Sequence, residues 1–144
     1  MDHLSSQAIE LAAQLRPALL RLNRQLRRET PELGVSQLSM MLLSTIKKEP
    51  GIGVNDLAAR ENMRASTMSN HVKQLEAAGF VRRDQILHAD KRRVGLSLTP
   101  QAERLLEEVR KLRTDWLARR IAALPEAARA ALANAVEALQ QLGN

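Results

Sequence analysis

The sequence predicts a mainly α-helical fold that carries one small β-hairpin. Apolar residues recur at helical spacing along most of the 144-residue chain, which is typical of amphipathic helices. The chain is also rich in Ala, Leu, Arg, Glu and Gln, all of which are good helix formers. Strict alternation of apolar and polar residues is confined to one short region after residue 80, and this pattern predicts strands.

The first predicted helix covers residues 4–28. Its apolar residues alternate at spacings of four and three, as in a helix that packs along another helix: Leu4, Ala8, Leu11, Leu15, Ala18 and Leu22. Pro17 lies inside this pattern and predicts a kink or a local break. A linker with Pro31 and Gly34 follows.

A second helix is predicted over 37–48, with Ser36 as its N-cap. Its expected inner face consists of Leu38, Met41, Leu42 and Thr45, with Ile46 as a further candidate. The sequence Pro50–Gly53 then breaks the chain. The glycines there do not form a phosphate-binding loop, because the third glycine of that motif is missing.

Two short helices separated by a tight turn come next. The first covers 54–60, with Gly53 at its cap and with Leu57 and Ala58 pointing inward, and residues 61–64 form the turn. The second runs from about 65 to 78. Gly79 follows it, and glycine is favourable just beyond the end of a helix. Its core-facing residues are Met68, Val72 and Leu75, whereas its outward face carries Ser66, Thr67, Ser69, Asn70 and Lys73.

A basic hairpin follows these helices. Residues 80–84 read as one strand, the alternation through Val94, Leu96 and Leu98 predicts a second strand, and residues 85–91 are expected to form the tip. Thr99 and Pro100 then start a long helix to about Ala123, and Pro125 starts the last helix. Two helices around a turn, followed by a hairpin, are the sequence pattern of a winged helix-turn-helix.

The charge of the chain favours an anionic partner. The net charge is +6, and residues 64–93 contain seven cations against three acids, which is 7 − 3 = +4. Asn70 can bind an adenine edge through two hydrogen bonds, the hydroxyls near it can meet bases or phosphates, and Lys73 can neutralise a phosphate. An ordinary polar helix surface is the alternative, but the turn before it and the hairpin after it favour DNA.

The hairpin tip supplies a second set of candidates. Lys91, Arg92 and Arg93 are placed to enter a narrow minor groove, whose potential is strongly negative. Asp90 is expected to pair with a wing arginine and to fix the loop. A charged tip that only prevents edge pairing is the alternative interpretation.

Together these motifs resemble the MarR family of bacterial transcriptional regulators. The resemblance is carried by Ser66–Asn70, by Gln74–Val81, and by a wing signature in Asp90–Arg92 and Leu96–Pro100. It implies a DNA-binding domain at 31–99 between a dimerisation helix at 1–30 and dimerisation helices at 100–144. The recognition helix would contact DNA through its outward residues together with Ala65, and the wing through Asp90, Lys91, Arg92 and Arg93.

The resemblance further implies a homodimer on a pseudo-palindromic operator, acting as a repressor that a small aromatic or phenolic ligand relieves. Arg16, Arg113 and Trp116 are conceivable residues of a ligand pocket, although each has a plain structural interpretation as well. No cofactor is expected. The absence of cysteine excludes thiol-based sensing.

Other functions find less support in the sequence. His3, His71 and His88 are far apart, and no metal-ligand spacing or nucleophile motif predicts an enzyme. No signal peptide or membrane-spanning run is recognisable, so we expect a cytoplasmic protein. A non-specific architectural DNA-binding protein and a protein-interaction module remain as alternatives.

Overall fold

The structure is a computed structural model that describes residues 4–29, 33–88 and 91–144. Its helices and strands, in chain order, are α1 (Ser6–Glu29), α2 (Gln37–Lys48), α3 (Val54–Arg60), α4 (Ala65–Ala77), β1 (Val81–His88), β2 (Lys91–Leu98), α5 (Pro100–Ala122) and α6 (Glu126–Leu142). Over these residues the mainly helical fold with one antiparallel hairpin, predicted from the sequence, is confirmed. No helix in these ranges is both long and apolar enough to cross a membrane.

The chain divides into two compact units. One consists of Glu32–Arg110, and the other combines Met1–Pro31 with Lys111–Asn144. The first half of α5 therefore belongs to the same unit as the hairpin. The reason is that α5 contributes Ala102, Leu105, Leu106 and Val109 to the core of that unit.

The core of the Glu32–Arg110 unit is built almost entirely from aliphatic side chains. Its largest fully buried members are Leu42, Leu43, Ile46, Leu57, Met68, Leu96, Val72 and Val81. Complete burial of one such side chain stabilises the folded state by about 1.5–3 kcal/mol. The predicted inward residues of α3 and α4 are all buried, which fixes the opposite face of α4 toward solvent.

The inner face of α2 differs in part from the prediction. Ser36 caps the helix as expected, because its Oγ accepts a 3.1 Å hydrogen bond from the Ser39 N–H. Met41, however, is 43% exposed, and Leu43 is fully buried in its place. Residues 40–43 are all apolar, so their spacing alone is compatible with more than one buried face.

The hairpin is longer than predicted. β1 extends to His88 and pairs with β2 in antiparallel register from Val81↔Leu98 to His88↔Lys91. The expectation of a loop over 85–91 was therefore wrong for residues 85–88 and 91, which lie in the strands, and residues 89–90 lie outside the described part of the chain. Residues 85–88 contain no Gly or Pro, and pairing with β2 gives partners to those of their backbone groups that face β2.

A single hydroxyl joins the end of α4 to the start of α5. Thr99 Oγ1 donates a 2.6 Å hydrogen bond to the Gly79 carbonyl oxygen and accepts one of 3.2 Å from the Ala102 N–H. Gly79 has a φ of +81°, a left-handed conformation that favours glycine. The predicted cap at Thr99 is confirmed.

The other unit leaves much apolar surface in contact with solvent. Neither α1 nor α6 has a buried residue among those described. Large exposed side chains include Leu4, Ile9, Leu11, Leu20, Leu132, Val136 and Leu142. Pro17 does not interrupt α1, which is helical throughout, so the local break considered from the sequence does not occur.

Candidate nucleic-acid interface

The two short helices α3 and α4 are held together by a compact turn. Asn62 in that turn has a positive φ of 52°, which asparagine tolerates better than most residues. The Met63 N–H then donates a 2.9 Å hydrogen bond back to the Ala58 carbonyl. This turn sets the angle at which α4 leaves α3, as a helix-turn-helix requires.

The outer face of α4 presents small polar groups without internal partners. Ser66, Thr67, Asn70 and Lys73 are exposed, and Ser69 is half-buried. None of these side chains hydrogen-bonds to another residue in the described part of the chain. Ala65, the first residue of the helix, is also exposed. The predicted contact residues on this helix therefore share one accessible surface.

Arg64 is a further cation beside this surface, and it was not predicted from the sequence to contact DNA. It is exposed at the N-cap position of α4, where its side chain makes no capping hydrogen bond. Its position one residue before the recognition helix was the signal that could have identified it. A cation at this place lies next to the unpaired N–H groups of the first helical turn.

The base of the hairpin is fixed by polar contacts between its strands. Arg82 Nε donates to Ser97 Oγ at 3.1 Å and to Asp84 Oδ2 at 3.2 Å. Ser97 Oγ in turn donates to Asp84 Oδ2 at 2.8 Å. Arg83 Nε lies 2.7 Å from Glu76 Oε2 on α4, so β1 is also tied to the recognition helix.

Arg93 is the wing candidate whose side chain the structure describes. Its guanidinium points to the helical part of the unit, with Nη2 3.3 Å from the Gly51 carbonyl oxygen and Nη1 3.7 Å from Asp56 Oδ2. Asp90 and the side chains of Lys91 and Arg92 lie outside the described residues.

These contacts narrow the set of cations that are available to a partner. Of the basic residues between 64 and 93 whose side chains are described, Arg82, Arg83 and Arg93 each have an acidic partner. Arg64 and Lys73 have no such ion pair within the described ranges. Both belong to α4 or its cap, so the unneutralised described cations of this region concentrate on the recognition helix.

The three candidate ligand residues all belong to the unit that contains α1. Arg16 is exposed and borders an apolar cleft along α1 with Ala12, Leu15, Leu19 and Leu20, whereas Arg113 and Trp116 are half-buried on α5. The Arg120 guanidinium carbon lies 4.3 Å from the centre of the Trp116 ring, a cation–π contact. That cleft includes neither Arg113 nor Trp116.

One ion pair on the surface of α5 has shifted pKa values. The Glu107 carboxylate accepts a hydrogen bond from Arg110, and this bond lowers the pKa of Glu107 and raises the pKa of Arg110. Both side chains are exposed to solvent and lie three residues apart on the helix surface. They are therefore surface stabilisers of α5.

Comparison with known proteins decides the family. The family model of MarR matches residues 35–94, which contain the helix-turn-helix and most of the hairpin. An HTH-type transcriptional regulator of Mycobacterium tuberculosis is 34% identical over 133 residues, which are 92% of this chain and 92% of that protein. This chain belongs to the MarR family. It is accordingly a DNA-binding transcriptional regulator of the helix-turn-helix type and not an enzyme.

Solved MarR-like structures have the same fold. A protein of Pseudomonas aeruginosa described as a transcriptional regulator superposes with a TM-score of 0.78 at 34% identity, covering 96% of this chain and 98% of that chain. FabT of Streptococcus pneumoniae, solved in complex with DNA, superposes with a TM-score of 0.60 at 16% identity and covers 96% of each chain. The second likeness concerns the fold alone.

Proposed function

We propose that this MarR family protein reads a specific double-stranded DNA sequence by placing α4 in the major groove and the hairpin in the adjacent minor groove. The observation that carries the proposal is the outer face of α4. Its polar side chains are exposed, except for the half-buried Ser69, and have no partners in the described part of the chain, although the opposite face is buried. Base edges in a major groove would supply such partners.

Each residue of that face has a role suited to its chemistry. Asn70 would bind an adenine through its amide, and Ser66, Thr67 and Ser69 would contact bases or phosphates. Lys73 would neutralise a phosphate and add affinity without sequence preference. Ala65 is small enough to let the backbone at the start of α4 approach the DNA closely.

The wing would add minor-groove contacts. Arg92 is proposed to enter the minor groove, with Lys91 beside it and Asp90 holding the loop. The basic sequence of the tip and the wing signature of the family support these roles. FabT, which has the same fold, was solved in complex with DNA, and this supports DNA as the partner proposed here.

A homodimer would place two recognition helices on one operator. The exposed leucines of α1 and α6 support this assembly, since Leu11 is 61% and Leu132 43% exposed in the single chain. Burying such surface against a symmetry mate is favourable at about 25 cal/mol per Å². Two helices one DNA turn apart would match a pseudo-palindrome.

Repression, relieved by a small aromatic or phenolic ligand, completes the proposal. Arg113 and Trp116 are one helical turn apart on α5 and both half-buried, an arrangement that suits an aromatic acid. Arg16 is the third candidate lining residue. Such a regulator would act in the bacterial cytoplasm, where its DNA is.

A titration separates the proposed function from its alternatives. A specific regulator should bind a palindrome selected from a random DNA pool at least about a thousandfold more tightly than random duplex at physiological salt. Equal affinity for both duplexes would instead identify a non-specific architectural protein. Absence of DNA binding at low salt would favour a protein-interaction module built on the terminal helices. Adding small aromatic carboxylic acids to the preformed complex tests the ligand.

A further inference from the structure

We propose that Arg93 is a positioning residue that holds the wing against the start of α3, with Asp56 as its partner, instead of contacting DNA itself. The inference rests on the proposed function, in which the hairpin and α4 must engage neighbouring grooves together. In this proposal, the contact between Arg93 and Asp56 keeps the hairpin at a fixed orientation relative to α4.

The base of the hairpin is already anchored through its backbone. The Gly51 N–H donates a 2.8 Å hydrogen bond to the Leu96 carbonyl, and the Leu96 N–H donates one of 2.8 Å to the Ile52 carbonyl. The segment between α2 and α3 thus pairs with β2 at Leu96. Beyond Leu96, the register pairs from Asp84↔Gly95 to His88↔Lys91 extend toward the tip.

Arg93 makes the next attachment along the hairpin. It lies three residues beyond Leu96 and reaches back to the Gly51 carbonyl at 3.3 Å and to Asp56 at 3.7 Å. Arg93 and Asp56 belong to different elements, 37 positions apart in the sequence. Backbone pairing at Leu96 alone would allow the angle between β2 and the helices to vary. A second attachment at Arg93 restricts that angle.

The chemistry of the contact suits arginine. A guanidinium has five N–H donors in a planar fork, so it can serve a carbonyl and a carboxylate at once. A lysine has a single ammonium at the end of a flexible chain and does not reproduce this fork. The two side chains border an open cavity of about 490 Å³ together with Glu49, Arg60 and the turn that precedes α3.

The charge balance also argues against a direct DNA contact. Asp56 offsets the charge of Arg93, so the pair releases few counterions from DNA on binding. Arg93 is 44% and Asp56 65% exposed. Exposed pairs of this kind contribute little, so we expect loss of the contact to weaken binding by about two- to fivefold for each wing.

The decisive variant is Asp56→Asn, because it weakens the contact between Arg93 and Asp56, here called the brace, without removing a cation. If Arg93 positions the wing, Asp56→Asn should weaken operator binding. A direct Arg93–phosphate contact predicts tighter binding, since a negative charge near DNA has been removed. Arg93→Ala should match Asp56→Asn, and the double variant should be no weaker than either single variant, because both changes break one contact.

Two further readouts separate positioning from phosphate contact. A positioning role leaves the salt dependence of binding unchanged in Arg93→Ala, whereas loss of a phosphate contact makes its slope shallower by about one per wing. Arg93→Lys keeps the charge, so it should restore binding only if the residue contacts a phosphate. Glu103→Gln is the matched control, because Glu103 is an acidic residue in the first turn of α5, as Asp56 is in α3.

Amide hydrogen exchange in the free protein tests the brace even if the proposed function fails. In Asp56→Asn and Arg93→Ala, the amides of residues 91–95 should exchange about two- to fivefold faster, while those of α4 should stay as in the wild type. Unchanged exchange would overturn the proposal. A wild type without operator preference would overturn the proposed function instead and leave this measurement intact.

Discussion

Thr99 and Gly79 are joined by a 2.6 Å hydrogen bond from the threonine hydroxyl to the glycine carbonyl oxygen. Gly79 follows the C-cap residue of α4, Ala78, and the Thr99 hydroxyl caps the start of α5. The end of the recognition helix is therefore fixed to the helix that closes the core of the same unit.

The first prediction concerns this hydroxyl. Thr99→Ala should lower the free energy of unfolding by about 1–2 kcal/mol, because it removes a helix cap and leaves a part-buried carbonyl unpaired. Thr99→Ser keeps the hydroxyl and should lose less than half as much. Urea unfolding followed by circular dichroism measures both. Equal losses for Ala and Ser would show that the methyl group matters and the hydrogen bond does not.

The second prediction concerns Asn70. Asn70→Ala should weaken binding to the selected operator by about 1–3 kcal/mol and binding to random duplex far less. Lys73→Ala is the comparison, because loss of a phosphate contact should weaken both complexes alike and make the salt slope shallower by about one. Gel-shift titrations at several salt concentrations give both quantities. A uniform loss in Asn70→Ala would assign that side chain to the DNA backbone.

The third prediction concerns assembly. Leu11→Asp should convert the proposed dimer to a monomer, because it places a charge in an apolar interface twice, at a cost of about 3 kcal/mol or more per copy. Operator binding should fall although no DNA-contacting residue has changed. Gln14→Asp adds the same charge one turn away in α1. Light scattering on both variants decides the matter, and a dimeric Leu11→Asp protein would exclude α1 from the interface.

The fourth prediction concerns the hairpin tip. Arg92→Ala should weaken binding to all duplexes and make the salt slope shallower by about one per wing. Asp90→Ala should also weaken binding, because its expected role is to hold the tip, although simple electrostatics predicts the opposite sign. Equilibrium titrations of the two variants are sufficient. Tighter binding by Asp90→Ala would contradict a bracing role for that residue.

Helix positions could be predicted from the sequence because their signals are local. The bounds of α2 and α3 follow from Ser36, Gly53 and the breaks that flank them. The buried face of α2 was harder to predict, because several consecutive apolar residues permit different faces. The strands were underestimated because residues 85–88 lack strict alternation and are held by pairing with β2, a non-local interaction.

In the candidate site, too, local features could be predicted from the sequence and non-local contacts could not. The outward face of α4 follows from helical spacing, so the exposure of Ser66, Thr67 and Asn70 was predictable. The partners of Arg83 and Arg93 were not, because Glu76 and Asp56 come close to them only after the hairpin folds back on the helices. Sequence shows where the cations are, but the fold decides which of them are neutralised.

The division of α4 into a packed side and an unpartnered side bears on how this regulator can diversify. Met68, Val72 and Leu75 hold the helix in place, whereas the groups proposed to read DNA take no part in that packing. Substitutions of the outward residues should therefore leave the stability of the fold nearly unchanged while altering which operators are recognised. Duplicated copies of such a gene could acquire new target sites through a few substitutions on one helix face, without first evolving compensating changes in the core.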